Sequence, residues 1–315
     1  MQQRATTGIA AALGSAFFLG VSPVLGKLAI NQGFSPLAVV AVRTSLAAFL
    51  LLVIVLLFNR SSFYIFPVGL IGCVLAGSIN GLGSLLYYMA LHRLPVSVGQ
   101  LLYSLYPFFV ALWLTLDKQY PSKLTLLRIT LAGVAVILLT NVPHKPADLV
   151  GVGMMIGAAL LYALHLPINQ RVLFEVPAPT VTLYTLLSMS AVVVPAYLIF
   201  DRAWPATNAP FLPLMGLTLA TFLSRLALFL GIKKIGGMQT ALLGLAELLV
   251  TILFSYYWLH ESLTPIQWLG VLGLALSLLL VRAEKPAPEK HSSDGWFSWI
   301  RSPASPKDAW GPFQQ

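Results

Sequence analysis

Long apolar runs, almost free of charge, recur along most of this chain and constrain its fold more than any motif does. Ten candidate spans can be drawn, at 8–30, 36–58, 67–91, 95–116, 124–141, 149–170, 178–200, 211–232, 238–259 and 265–282. Each approaches the 20 or so residues that a helix needs to cross ~30 Å of hydrocarbon. Of the 315 residues, 58% are hydrophobic and 9% are charged, against about 25% charged in a soluble domain. That composition cannot supply a polar shell around a water-soluble fold. Backbone groups in lipid must be satisfied within their own segment, and no barrel-like alternation is present, so the spans are expected to be helices. The fold class is an all-α membrane protein of ten transmembrane helices. Arg4 followed by an apolar run imitates a secretory signal, but the run is too long and further spans follow. The single cysteine, Cys73, excludes an intrachain disulfide.

The charges give an orientation. With the N-terminus in the cytoplasm, Arg4, Arg60, Lys118, Lys123, Arg128, Arg171, Lys233 and Lys234 fall on the inner side. Arg93, Lys145 and Arg202 fall outside. Cytoplasmic loops of membrane proteins carry the excess of Lys and Arg. Both termini are therefore expected in the cytoplasm, with the chain in the plasma membrane. The net charge of +9 then needs no nucleic-acid partner.

Ten spans divide into five plus five. An odd number per half makes the halves insert in opposite senses, the inverted-repeat plan of many transporters. A shift of 141 residues lays Ala90–Trp113 over Gly231–Phe254 and puts His92-Arg93 on Lys233-Lys234. The same shift places Ala12 and Ala16 over Gly153 and Gly157, small residues that let helices approach closely. The expected repeats are 1–142 and 143–282. Residues 283–315, rich in Pro, Ser, Lys and Glu, read as a disordered cytoplasmic tail. Within that tail Trp296, Phe297, Trp299 and Ile300 beside Arg301 also suit an anchor at headgroup level.

Several stretches resemble the EamA family of the drug/metabolite transporter superfamily. The clearest runs from Tyr88-Met89-Ala90-Leu91-His92-Arg93-Leu94-Pro95 to Tyr106-Pro107, and resembles the family's third-to-fourth helix junction. Ala246-Glu247-Leu248 with His260-Glu261 and Gln267-Trp268 is similar to its ninth-to-tenth helix region. Leu19-Gly20 through Gly26-Lys27 resembles the first helix, and Arg43 matches an arginine of the second. Leu19 stands where the family often has Trp. Leu248 stands where it often has Pro, which argues against a break in the ninth span. The resemblance implies ten helices, cytoplasmic termini and export or exchange of small metabolites.

Ionisable residues at membrane depth are costly and usually face a bundle interior or a cavity. Lys27, Arg43, Arg225 and Glu247 qualify. Arg225 and Glu247 lie at similar depth in consecutive spans, so an ion pair between them is expected. Three cations against one anion suggest a substrate bearing a carboxylate or phosphate. Asn80, Ser84 and Tyr87 in span 3, Gln100 and Tyr103 in span 4, Tyr162 and His165 in span 6 and Gln239 in span 9 complete the expected binding set. Pro23 and Pro167, in the first span of each half, are the expected helix interruptions, and paired interruptions mark a midplane site. The chain carries no phosphate-binding loop, no metal motif and no hydrolase elbow, so no catalytic residue, metal or cofactor is assigned. The leading function is a secondary transporter of a small organic metabolite (an amino acid or another carboxylate-bearing or polar compound) working by alternating access, with proton or counter-substrate coupling. The alternatives are an intramembrane enzyme acting on lipid and a non-transporting structural subunit of the membrane.

Overall fold

A computed structural model describes residues 2–139, 148–203, 210–259, 264–280 and 295–300. The elements are α1 (Gln2–Asn31), α2 (Pro36–Phe58), α3 (Pro67–Arg93), α4 (Val96–Tyr103), α5 (Tyr106–Leu116), α6 (Lys123–Leu139), α7 (Leu149–Leu173), α8 (Ala178–Phe200), α9 (Leu212–Ile235), α10 (Gly237–Gly244), α11 (Ala246–Leu259) and α12 (Pro265–Leu279). No strand occurs among the described residues. Eight helical stretches are long and apolar enough to cross a membrane, with α4–α5 and α10–α11 each forming one of them. The apolar helices α6 and α12, of 17 and 15 residues, are shorter and pack on each other.

The connections follow local chemistry. Ser35 caps α2 by accepting from the Ala38 amide, with Pro36 at the first helical position, where its missing N–H costs nothing. Asp148 caps α7 by accepting from the Val150 and Gly151 amides. Gly236, at φ 83°, turns the chain between α9 and α10, a conformation open chiefly to glycine.

The helices pair mainly across the two halves. α1 lies along α9, α3 along α7 and α8, α2 along α8 and α9, and α6 along α12. If the first-half helices are exchanged with their second-half counterparts, α1·α9 becomes α7·α3 and α5·α7 becomes α11·α1, and both members of each pair are present. Close approach needs small residues. A Cβ at Gly20 of α1 would lie 2.5 Å from the Glu247 carbonyl, and one at Gly77 of α3 would lie 2.5 Å from that of Thr185. Of the four small residues matched by the 141-residue shift, Ala12 and Ala16 are buried, whereas Gly153 faces open space. Gly157 packs close to Leu86, so in the second half only one of the two positions serves close packing.

The ends of the bundle differ. One end gathers Arg60, Lys118, Lys123, Lys233 and Lys234 and is called the basic end below. Its interior is filled by Phe66, Tyr106, Leu166, Val172 and Phe229, all buried. At the opposite end Lys27 caps the finish of α3, donating to the carbonyls of Leu91 and Leu94, and Arg93 pairs with Asp148 at 2.9 Å.

Residues 295–300 depart from the expectation of a disordered tail. They form a turn with Phe297 and Ile300 buried in the core of the basic end. The remainder of 283–315 lies outside the described residues, as does the boundary near 142.

Candidate functional site

The two interruptions that shape the interior fall in spans 4 and 9. Span 4 is interrupted between α4 and α5 at Ser104-Leu105, and span 9 between α10 and α11 at Leu245. Their hydrogen bonds repeat each other 140 residues apart. The Leu105 amide donates to Leu102 O at 3.3 Å and Phe108 to Leu105 O at 3.0 Å. The Leu245 amide donates to Leu242 O at 3.3 Å and Leu248 to Leu245 O at 3.1 Å. The break in span 9 therefore forms without a proline after Glu247, and Leu248 does not prevent it. Pro23 and Pro167, by contrast, sit inside continuous helices. Membrane helices tolerate proline because neighbouring groups re-satisfy the freed carbonyls. Breaking span 9 places Glu247 in the first turn of α11, where the helix dipole favours a carboxylate.

Beside these breaks lies a small, partly open cavity. It is lined by Arg43, Asn80, Ser84, Tyr87, Gln100 and Tyr103 from the first half and by Tyr162, Arg225 and Glu247 from the second. Nine of the eleven expected residues thus meet around one space. The other two lie elsewhere. His165 is fully buried behind Tyr162, its Nδ1 against the Tyr162 carbonyl and its ring centre 4.8 Å from that of Tyr162. Gln239 is at the basic end, where it accepts from Arg128 and donates to Thr125. It opens span 9, but span 9 enters the cavity only two turns later. Leu19, Ser22, Pro23, Gly83 and Tyr88 also line the space. Tyr88 was marked in the sequence only as part of the family-like stretch.

The charged groups are held but not consumed. Arg43 donates to Thr221 Oγ1 at 3.2 Å and Ser84 Oγ at 3.4 Å, and its guanidinium stands 4.6 Å from the centre of the Tyr88 ring. Its Nε has no partner. Arg225 lies 5.8 Å from the centre of Tyr162, with Nε and Nη1 unpartnered. Tyr87 donates to Gln100 Oε1 at 2.9 Å, and Gln100 also engages the Glu247 carboxylate. Glu247 Oε1 has no partner. The expected Arg225–Glu247 ion pair is not formed, because both side chains turn towards the cavity. Lys27 is likewise removed from the count by its role at the end of α3. The cavity therefore carries two guanidinium groups and one carboxyl group. Buried polar groups left unpaired cost roughly 1–3 kcal/mol each, so a ligand that satisfied them would gain from it.

The aromatic wall is continuous. Ring centres are 4.9 Å apart for Tyr87–Tyr103, 5.3 Å for Tyr103–Tyr162 and 5.0 Å for Tyr162–Tyr106. Tyr106 anchors its end by donating to the Ala241 carbonyl at 2.9 Å, so the two broken spans are bonded to each other. Such rings offer flat faces to apolar or cationic parts of a ligand.

At the basic end the halves are closed by a polar cluster. Asp117, after α5, accepts from Arg171 of α7 at 2.9 Å, and both are buried. Gln119 donates to the same carboxylate and accepts from Gln170, whose Oε1 takes the Gly237 amide. Asp117 lies in the loop after α5, and its signal is visible solely in three dimensions.

The model of the EamA-like transporter family matches residues 6–141 and again 149–283. An uncharacterized transporter of Synechocystis sp. is 27% identical over 232 residues, covering 69% of this chain and 67% of its own. A crystal structure of another protein superposes with a TM-score of 0.70 at 14% identity, over 90% of this chain and 97% of that one, and shows a shared fold. Two family matches in one chain, with eight membrane-length helices, describe a multi-pass integral membrane transporter. This chain belongs to the EamA-like transporter family.

Proposed function

We propose that the protein is a secondary transporter that exports or exchanges a small organic metabolite bearing a carboxylate, amino acids foremost, across the plasma membrane. Its ten helices form two inverted five-helix halves, and alternating access moves the cavity between the two ends. The observation that carries this reading is the cavity itself. It is lined from both halves, sits at the two broken spans and presents unpartnered groups of Arg43, Arg225 and Glu247. Broken helices at midplane are where transporters of inverted-repeat design bind their cargo. The two guanidinium groups suit a carboxylate, and Glu247 suits an ammonium group or a coupling proton. The concentration of Lys and Arg at one end supports cytoplasmic termini. The filled basic end, with the cavity beyond it, supports a state closed to the cytoplasm. A structural subunit has no use for such a cavity.

The test is transport by the purified protein in vesicles, screening amino acids and other carboxylates in both directions, with and without a pH gradient. Movement of a carboxylate, lost in Arg225→Gln, supports the reading. A broad panel with no substrate moved sinks it. If Glu247 carries a coupling proton, Glu247→Gln makes transport indifferent to the pH gradient. Unchanged dependence removes that role.

A further inference from the structure

Gly295–Ile300 is separated in sequence from the bundle it touches, yet it lies against a buried ion pair, Asp117–Arg171, that joins the two halves at the basic end. The Phe297 amide donates to Asp117 Oδ1 at 3.0 Å, at a buried position. The other oxygen of the same carboxylate accepts from Arg171 and Gln119. Asp117 is thus shared between the closure of the bundle and the C-terminal turn. Gly295 makes this fit possible. Its φ is +122°, and a Cβ there would lie 2.4 Å from Asp117 Oδ1 and 2.6 Å from Asp117 O. Only glycine adopts that conformation without strain and leaves that space. Phe297 and Ile300 enter the same core cluster as Cys73, Leu166 and Val172. Ile300 reaches the start of α3, within 3.6 Å of where a Gly72 side chain would stand. The alternate residues face away, with Trp296 63% and Trp299 43% exposed, as tryptophans at a membrane interface do.

We infer that Gly295–Ile300 is a built-in latch that holds the basic end of the transporter shut. Opening that end requires α5 to part from α7, which separates Asp117 from Arg171. The turn bridges this joint by bonding Asp117 at the end of α5 while packing beside Gly72 of α3 and Val172 of α7. It must lift before the joint parts, so it sets how often the basic end opens. This goes beyond the transport reading, because it concerns which conformation the resting protein holds, whatever it carries.

Thiol accessibility tests the latch without a substrate. Cys73, the single cysteine, is buried at the basic half of α3. A second reporter is Leu166→Cys in a Cys73→Ser background. Leu166 is buried on α7 between Tyr162 of the cavity and Arg171 of the closure. Each full-length protein is treated with a water-soluble maleimide, with the latch intact, with Gly295→Val, and with the chain ended after residue 294. Gel filtration and melting establish that each variant is folded, and the truncation serves where Gly295→Val does not fold. The latch predicts that both reporters label about tenfold faster or more when it is removed, the scale on which a local opening equilibrium responds to losing a buried bond and its apolar anchors. If neither reporter changes, the inference is overturned. If Cys73 alone labels faster, the turn merely covers the surface and the inference is also overturned. None of these outcomes depends on which compound is carried, so the latch and the transport reading fail separately.

Discussion

The Arg43 guanidinium stands 4.6 Å over the ring of Tyr88 while its two terminal nitrogens reach Ser84 and Thr221. One cation is thereby fixed by helices α3 and α9 as well as by its own α2. A planar, forked donor on an aromatic face is not replaced by an ammonium group. Arg43→Lys should weaken the apparent affinity for a carboxylate substrate at least about tenfold, a loss typical of a charge-assisted contact. Tyr88→Phe should transport nearly normally, and Tyr88→Leu should resemble Arg43→Lys. Uptake kinetics in vesicles check this, and a Tyr88→Leu protein with unchanged kinetics would sever the link.

Gly244 lies under the Tyr106 hydroxyl, 2.1 Å from where a Cβ would be. Gly244→Ala should destabilise the protein by about 1–3 kcal/mol through overpacking at the span 9 break. Tyr106→Phe removes the crowded oxygen and the bond to Ala241. The double variant should therefore be more stable than the sum of the two single changes implies. Thermal melts of the four proteins close this cycle, and strict additivity would refute the contact.

Asp117 and Arg171 form a buried pair, 0% and 1% exposed. Removing one partner strips a buried charge of a close counter-charge, which costs up to roughly 3–5 kcal/mol, so Asp117→Asn should destabilise the protein. Replacing both, as Asp117→Leu with Arg171→Met, should recover much of that loss. Denaturation in detergent measures it. A double variant as unstable as Asp117→Asn would mean that the pair contributes more than charge compensation.

Asp148, at the start of α7, is held below the usual carboxylate range by the Arg93 hydrogen bond, and next by the Gly151 amide. Its stabilisation is therefore present above the ordinary carboxyl pKa and fades as pH falls through the lower folded value. Asp148 is exposed, so the effect is small. Asp148→Asn should melt slightly below the parent near neutral pH, and the gap should close as acid protonates Asp148 in the folded protein. A gap that persists in acid would refute the charge as its cause, since asparagine caps a helix as well as aspartate does.

The helical membrane fold was legible because long apolar runs admit few other solutions. Much of the cavity was legible too, since Arg43, Asn80, Gln100, Arg225 and Glu247 are polar residues that lipid-facing positions exclude. The breaks were not. Pro23 and Pro167 advertised interruptions and sit in continuous helices, whereas span 4 breaks at Ser104-Leu105, just before Pro107 at the start of α5, and span 9 breaks at Leu245 with no proline at all. Depth along consecutive spans correctly brought Arg225 and Glu247 to one cavity, but could not reveal that they face it rather than each other. The role of Asp117 depended on a contact with residue 297, which no local pattern encodes.

The cross-half pairing has a consequence for how the chain comes into being. α1 finds its main neighbours in α9 and α11, α2 in α8, and α3 in α7 and α8. The early helices therefore enter the bilayer well before their eventual partners leave the ribosome. They must wait there as separately inserted, loosely associated segments, with Arg43 lacking the Thr221 it will later bond. Membrane insertion and assembly are thus separate events in time. The interval between them is when a quality-control protease would meet this protein at its most vulnerable.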